Sequence, residues 1–248
     1  MSGTLVITGG SRGIGAAVAR MAGARGYAVC VNYRANEKAA QDVVRKIAGG
    51  GGRALAVQGD VVKEADVVRL FDEAERKLGP VTGLVNNAGI VGKASRVADV
   101  PIETLREVFD INVLGAFLAA REAVRRMSTA RGGKGGAIVN LSSMAAFLGT
   151  PGEFVHYAAS KGAIEALTIG LSREVAREGI RVNAVAPGLI DTEIHASAGL
   201  PDRLKQMGPM VPIGREGSAD EVAEAIMWLL SDAASYVVGT SVRVSGGR

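Results

Sequence analysis

One cysteine, two histidines and few aromatic residues limit what this chain can build. The lone Cys30, inside the apolar run AVCVNY, makes no disulfide framework or metal cluster and reads as an inert buried thiol. Nothing in the chain has metal-ligand spacing, so no metal is expected. Aromatics are 4% of the residues, too few to stack on bases, and the basic residues behind the net charge of +4 are scattered. That charge reads as a mild bias toward small anionic ligands, with no nucleic acid expected. The longest apolar stretch, INVLGAFLAA, lies between Asp110 and Arg121 and is too short to span a bilayer. The opening MSGTLVITGG lacks the charged start and long apolar core of a secretion signal. A soluble cytoplasmic protein without membrane contact is the expectation.

What the chain does have is a regular alternation. Its 248 residues are 48% hydrophobic, enough for one large core. Short apolar runs (TLVITG, YAVCVNY, RALAVQGD, TGLVNNAG, GAIVNLSS, IRVNAVAPG and TSVRVSGG) alternate with longer stretches of helical periodicity. Helices are expected from about Gly13, over NEKAAQDVVRKIA, over EADVVRLFDEAERKLG, from about Pro101 to Ala130, and to about Glu178. The helix SADEVAEAIMWLLS opens on a capping box, Ser218 with Glu221. Gly49 to Gly52 are expected to end the second helix through a left-handed cap. Such alternation predicts one doubly wound parallel α/β sheet of about seven strands, helices on both faces, spanning residues 1–248 as a single domain. Residues 190–212 read as irregular. With Pro201, Pro209 and Pro212 they suit a lid over a ligand, and His195 within them could touch substrate.

Ligands in such sheets bind at the carboxyl ends of the strands. TGGSRGIG, Thr8 to Gly15, follows strand one and opens a helix, where glycines admit a phosphate to the backbone and the helix N-terminus favours its charge. It is not a P-loop, and its spacing differs from the commonest dinucleotide fingerprint. Farther on, HYAASKGAIE sets Tyr157 and Lys161 four residues apart, on one helix face. Bringing a phenol from near 10 to neutral pH takes roughly 4 kcal/mol, and a nearby ammonium favours the phenolate. Ser143, just past strand five, is placed to hydrogen-bond a substrate oxygen, with Ser142 the lesser candidate. His156 points elsewhere on the helix and reads as structural or substrate-lining.

In this order, TGxxxGIG, NNAG (Asn86–Gly89), Ser143 and YxxxK resemble the short-chain dehydrogenase/reductase family across essentially the whole chain. The texture is similar to its 3-oxoacyl-carrier-protein-reductase-like and sugar-dehydrogenase-like members. The resemblance implies a Rossmann fold and hydride exchange between a nicotinamide and a carbonyl or alcohol substrate. It implies that Gly9, Ser11, Arg12, Gly13, Ile14 and Gly15 cradle the cofactor. Asp60 and Val61 would receive the adenine, and Asn87, Ala88 and Gly89 would line the bed. Pro187 and Gly188 would join them, with Thr192 at the nicotinamide amide. Tyr157 becomes the general acid/base, and Lys161 its tuner and a ribose ligand. Asn112, which interrupts a helix, would hold a water between Lys161 and solvent. Ser143 stands one residue farther from Tyr157 than in much of the family, so the loop between them is altered.

Strand two ends in VNYR, without the acid that would hold the ribose of NAD. Arg34 there, with Arg12, suits a 2′-phosphate, so NADP(H) is the expected cofactor. The alternatives are an NAD(P)-dependent sugar or polyol dehydrogenase and a catalytically silent nucleotide-binding regulator. Intact Ser143, Tyr157 and Lys161 argue against the regulator. The small residues Ala158, Ala159, Ala163, Ala166 and Gly170 allow close helix approach, and the resemblance implies a homotetramer.

Overall fold

The computed structural model describes residues 3–194 and 198–248; His195 lies outside them. Every strand pairing is parallel, in the order β3-β2-β1-β4-β5-β6-β7. The strands are β1 (Thr4–Ile7), β2 (Ala28–Tyr33), β3 (Ala54–Gln58), β4 (Val81–Asn86), β5 (Gly136–Leu141), β6 (Ile180–Pro187) and β7 (Ser241–Val244). Because successive side chains point to opposite faces, a strand covered on both sides must be apolar throughout. In β1, Leu5 and Ile7 enter one core and Val6 the other, and all three are fully buried.

The first core lies under α1 (Gly13–Ala24), α2 (Glu37–Gly49) and α9 (Ala219–Leu230). The second lies under α3 (Glu64–Leu78) and α5 (Gly115–Met127), closed at one end by Val175 of α7 (Val155–Val175). Cys30 is in this second core, where burial pushes its thiol up to about 12, so it is not a thiolate. Both halves of the capping box form: the Glu221 N–H donates to Ser218 Oγ and the Ser218 N–H to Glu221 Oε2.

Glycines end α2 as expected, with Gly51 left-handed at φ +81. Three local features differ from the sequence reading. The long helix expected over 101–130 is two, α4 (Ile102–Phe109) and α5, joined by a π-helical turn at Asp110–Leu114. A single helical turn, α6 (Ala145–Leu148), fills part of the loop after β5. The described part of 190–212 is not wholly irregular, since α8 (Arg203–Met207) lies within it. Among the described residues no helix is long and apolar enough to cross a membrane.

Sheet order reverses between β1 and β4, where the two halves of the chain turn away from each other. That divergence opens a crevice at the carboxyl ends of these strands. Thr8, the Asn87–Gly89 segment and the residues after β5 and β6 all emerge at this edge.

Candidate active site

The glycine loop is tied across the crevice before any ligand enters. The N–H groups of Asn87 and Ala88 donate to Thr8 Oγ1 at 3.0 and 3.1 Å. Asn87 Nδ2 donates to the carbonyls of Thr8 and Gly9, each at 2.9 Å. The Gly9 N–H donates to Asn32 Oδ1 at 3.2 Å, while Asn32 Nδ2 is bound to the carbonyls of Val57 and Gly59. Gly9 and Gly13 have φ of +62 and +52, which glycine adopts without strain. A Cβ at Gly15 would fall 2.5 Å from Asn87 Nδ2, so a side chain there would break the tie.

Two adjoining cavities occupy this edge, sharing Ile14, Asn87, Gly89, Thr192 and Ile194. The first holds Gly9, Ser11, Arg12, Gly13, Arg34, Asp60, Val61 and Ala88. Its shape suits a dinucleotide: a glycine-rich loop at a helix N-terminus, then Asp60 and Val61 beyond β3. Arg12 and Arg34 are exposed and make no ion pair among the described residues, and no carboxylate lines the stretch Asn32–Asn36. A nicotinamide cofactor therefore fits these residues. The second cavity holds Ser143, Tyr157, Lys161, Pro187 and Gly188. Gly188 is packed on the chain end, since a Cβ there would lie 2.8 Å from Ser245 Cα. Among the described residues assigned to catalysis or cofactor binding, only Gly15 and Asn112 line neither cavity, and His156 also lines neither.

Asn112 sits in the π-helical turn, nearly fully buried. Its amide is spent on the Ile90 backbone, Oδ1 accepting from the N–H and Nδ2 donating to the carbonyl, both at 2.8 Å. A further bond from Nδ2 reaches Ser160 Oγ, which donates to the Tyr157 carbonyl. Helix α7 is thus coupled to the β4–α4 loop through Asn112, and His156 adds a 3.2 Å contact to the Val91 carbonyl.

Lys161 donates to the Leu141 carbonyl at 2.6 Å, and its Nζ stands 5.7 Å from the Tyr157 ring centroid. Burial pushes the ammonium down to about 8, opposed by Glu165. Burial pushes the Tyr157 phenol up, opposed by a hydrogen bond with Ser143. The sequence reading has Lys161 lowering the phenol. Here burial is the largest influence on each group, and both are driven toward neutrality.

Asn32 and Ser160 are not among the residues the sequence assigns to the site, and Thr8 enters it only as the first residue of TGxxxGIG. Asn32 and Ser160 show in sequence only as polar residues among apolar or small neighbours, most visibly Asn32 in VCVNY. Ser142 Oγ and Thr150 Oγ1, in residues that line the second cavity, are buried without a hydrogen-bond partner.

The chain matches a family profile described as enoyl-(acyl carrier protein) reductase over residues 9–248. It is 51% identical over 243 residues to uncharacterized oxidoreductase YgfF of Escherichia coli strain K12, covering 98% of each chain. It is 43% identical over 245 residues to 3beta-hydroxysteroid dehydrogenase 1 of Eggerthella lenta, covering 98% of this chain and 92% of that one. A short-chain type dehydrogenase/reductase from Mycobacterium marinum superposes with a TM-score of 0.92 at 36% identity, covering 98% and 94%. With cavity, motif order and fold in agreement, the chain belongs to the short-chain dehydrogenase/reductase family, oxidoreductases of alcohols and carbonyls that use nicotinamide cofactors.

The buried ammonium predicts a pH dependence of stability. Below pH 8 the folded and unfolded states are both protonated, and the fold bears the full cost of burying the charge. Between about 8 and the usual 10.5 the folded state has lost the proton first, so stability rises with pH. At most about 3 kcal/mol is involved. Urea unfolding without nucleotide should show Lys161→Met gaining on wild type at pH 7 and the difference shrinking by pH 10. A difference independent of pH would show that Lys161 is not held near 8.

Proposed function

We propose that the chain is an NADP(H)-dependent dehydrogenase of ketones and secondary alcohols, with Tyr157 as proton donor and acceptor. The observation that carries this is the meeting of Ser143, Tyr157 and Lys161 in one cavity that adjoins the glycine-loop cavity. A bound nicotinamide supplies or accepts the hydride. Ser143 Oγ orients the substrate oxygen, and the Tyr157 hydroxyl gives it a proton as charge develops there. Lys161, already beside Tyr157, holds the cofactor ribose and favours the phenolate once the cofactor's positive charge is also present. Asn112 acts behind them by holding the Ile90 backbone and α7 in register.

Walls of Val91, Met144, Phe154, Leu189 and Ile190 favour an apolar substrate body and leave a polyol's hydroxyls short of partners. A relative named for a hydroxysteroid, a ring-borne secondary alcohol, agrees with that choice. Arg12 and Arg34, neither in an ion pair among the described residues, and the lack of a carboxylate over Asn32–Asn36 support the 2′-phosphate of NADP(H) over the bare ribose of NAD; Asp60 and Glu193 line other parts of the cavity. The exposed Ala159, Ala166 and Gly170 on α7, with the exposed Leu114 and Phe117 on the turn and helix (α5) that pack against α7, support assembly as a homotetramer.

Tyr157→Phe should keep NADPH binding, followed by fluorescence, and lose at least about 10²-fold in single-turnover hydride transfer. Transfer within a few-fold of wild type would mean the phenol is not the acid. Arg34→Ala should weaken NADPH about ten- to a hundredfold and leave NADH nearly unchanged. Equal losses would remove the NADP assignment. Light scattering at micromolar concentration should give a multiple of the 25.5 kDa chain mass, and a monomeric mass would defeat the assembly.

A further inference from the structure

The substrate cavity continues past Tyr157 to a corner that the reaction itself does not need. There the turn Thr150–Phe154 meets Arg203, the first residue of α8. The guanidinium lies 5.3 Å over the Phe154 ring, and one of its nitrogens is 2.8 Å from Glu153 Oε2. Its side chain is only 13% exposed, whereas the Glu153 side chain is 46% exposed. The pair is therefore solvent-screened on the carboxylate side and exchangeable. It engages one nitrogen of a fork that can present two parallel N–H groups to a carboxylate. Among the described lining residues of this cavity there is no Asp or Glu, while Lys161, Arg203 and Arg248 are basic.

Thr150 on the same turn strengthens the reading. Its Oγ1 is buried without a partner, and its backbone, at φ +42, is the only non-glycine in the left-handed region among the described residues. A β-branched residue is strained there, and its hydroxyl gains no internal bond in return. The turn holds it in place through the Phe154 N–H, which donates to the Thr150 carbonyl at 3.1 Å. Strain and an unpaired donor at one cavity-lining residue fit a ligand oxygen that completes the bond. This turn also lies in the segment between Ser143 and Tyr157 whose length departs from the family pattern.

We propose that the substrate is a keto or hydroxy acid whose carboxylate is received by Arg203 and Thr150, with an apolar skeleton between carboxylate and reacting carbon. The proposal rests on the reading of this cavity as the site of carbonyl reduction. Val91, Met144, Phe154, Leu189 and Ile190, which line the same cavity, suit a compact carbon skeleton without further polar groups.

The test compares matched acids and neutral analogues. Initial rates with NADPH are measured for 4-oxocyclohexanecarboxylate and its methyl ester. Independently, calorimetry on the NADPH-loaded protein compares cyclohexanecarboxylate with cyclohexanecarboxamide. Wild type should prefer the acid over the ester in kcat/KM, and the carboxylate over the amide in affinity, by about tenfold or more. Arg203→Met, which keeps an apolar stem on Phe154, should collapse both ratios, and Arg203→Lys should restore them in part. Equal use of acid and ester, or ratios that survive Arg203→Met, would overturn the proposal and leave the dehydrogenase reading standing. Arg203-dependent carboxylate binding without turnover of either ketone would uphold the anion site and overturn the dehydrogenase reading.

Discussion

The hydrogen-bonded tie between the ends of β1 and β4 is the constraint on which the rest of the site depends. Parallel strands diverge at a switch point, and nothing in the ladder holds their carboxyl ends together beyond it. Thr8 and Asn87 supply that hold by exchanging bonds in both directions, hydroxyl accepting from backbone on one side and amide donating to backbone on the other. The donors are half-buried at the cavity edge, so each bond contributes at about the ordinary 0.5–1.5 kcal/mol. Asn32 extends the tie to β2 and to the end of β3, which brings Asp60 to the same edge. Glycine in the loop is required by this arrangement as much as by any ligand, because Asn87 takes the space that a side chain at Gly15 would fill.

A second layer of fixed polar contacts orients α7. Asn112 can bond both backbone groups of Ile90 because the π-helical turn aims its amide inward and leaves it almost without solvent. A regular helix through Asp110–Leu114 would rotate that amide away from Ile90. The irregular turn therefore exchanges regular helical hydrogen bonds for the position of one side chain, a known association of π turns with functional sites. Ser160 passes the constraint to the backbone of Tyr157, so the phenol's place is set from behind rather than by the groups it faces.

Much of this was legible in the sequence. Strand runs, their alternation with helices and the order of TGxxxGIG, NNAG, Ser143 and YxxxK place the sheet, the crevice and both cavities, because each rests on local pattern. The tie through Asn32 was not legible, since nothing in VCVNY says which polar group will find Gly9 across the sheet. Nor was the π-helical turn: DINVLGAF keeps helical periodicity while the backbone winds more widely. The effect of burial on Tyr157 and Lys161 also escaped the reading, because four-residue spacing reports a shared face and not the dielectric around it. Two groups that would tune each other in water are here both pushed toward neutrality, and the ammonium turns to the Leu141 carbonyl.

That last difference bears on how such a site becomes competent. A phenol raised by burial holds its proton firmly, which suits an acid waiting for a developing oxyanion and not a base ready to take a proton. Removing that bias requires added positive charge close by, and the protein's own ammonium, protonated below about 8, is directed to the Leu141 carbonyl. Under the proposed mechanism the missing charge comes with the oxidised cofactor, so the same Tyr157 is set as an acid before reduction and as a base only when the oxidised nucleotide is present. The direction of proton transfer would then follow the state of the nucleotide without any movement of the fold. The fixed placement of α7 by Asn112 and Ser160 is consistent with that economy, since it leaves charge rather than geometry as the variable.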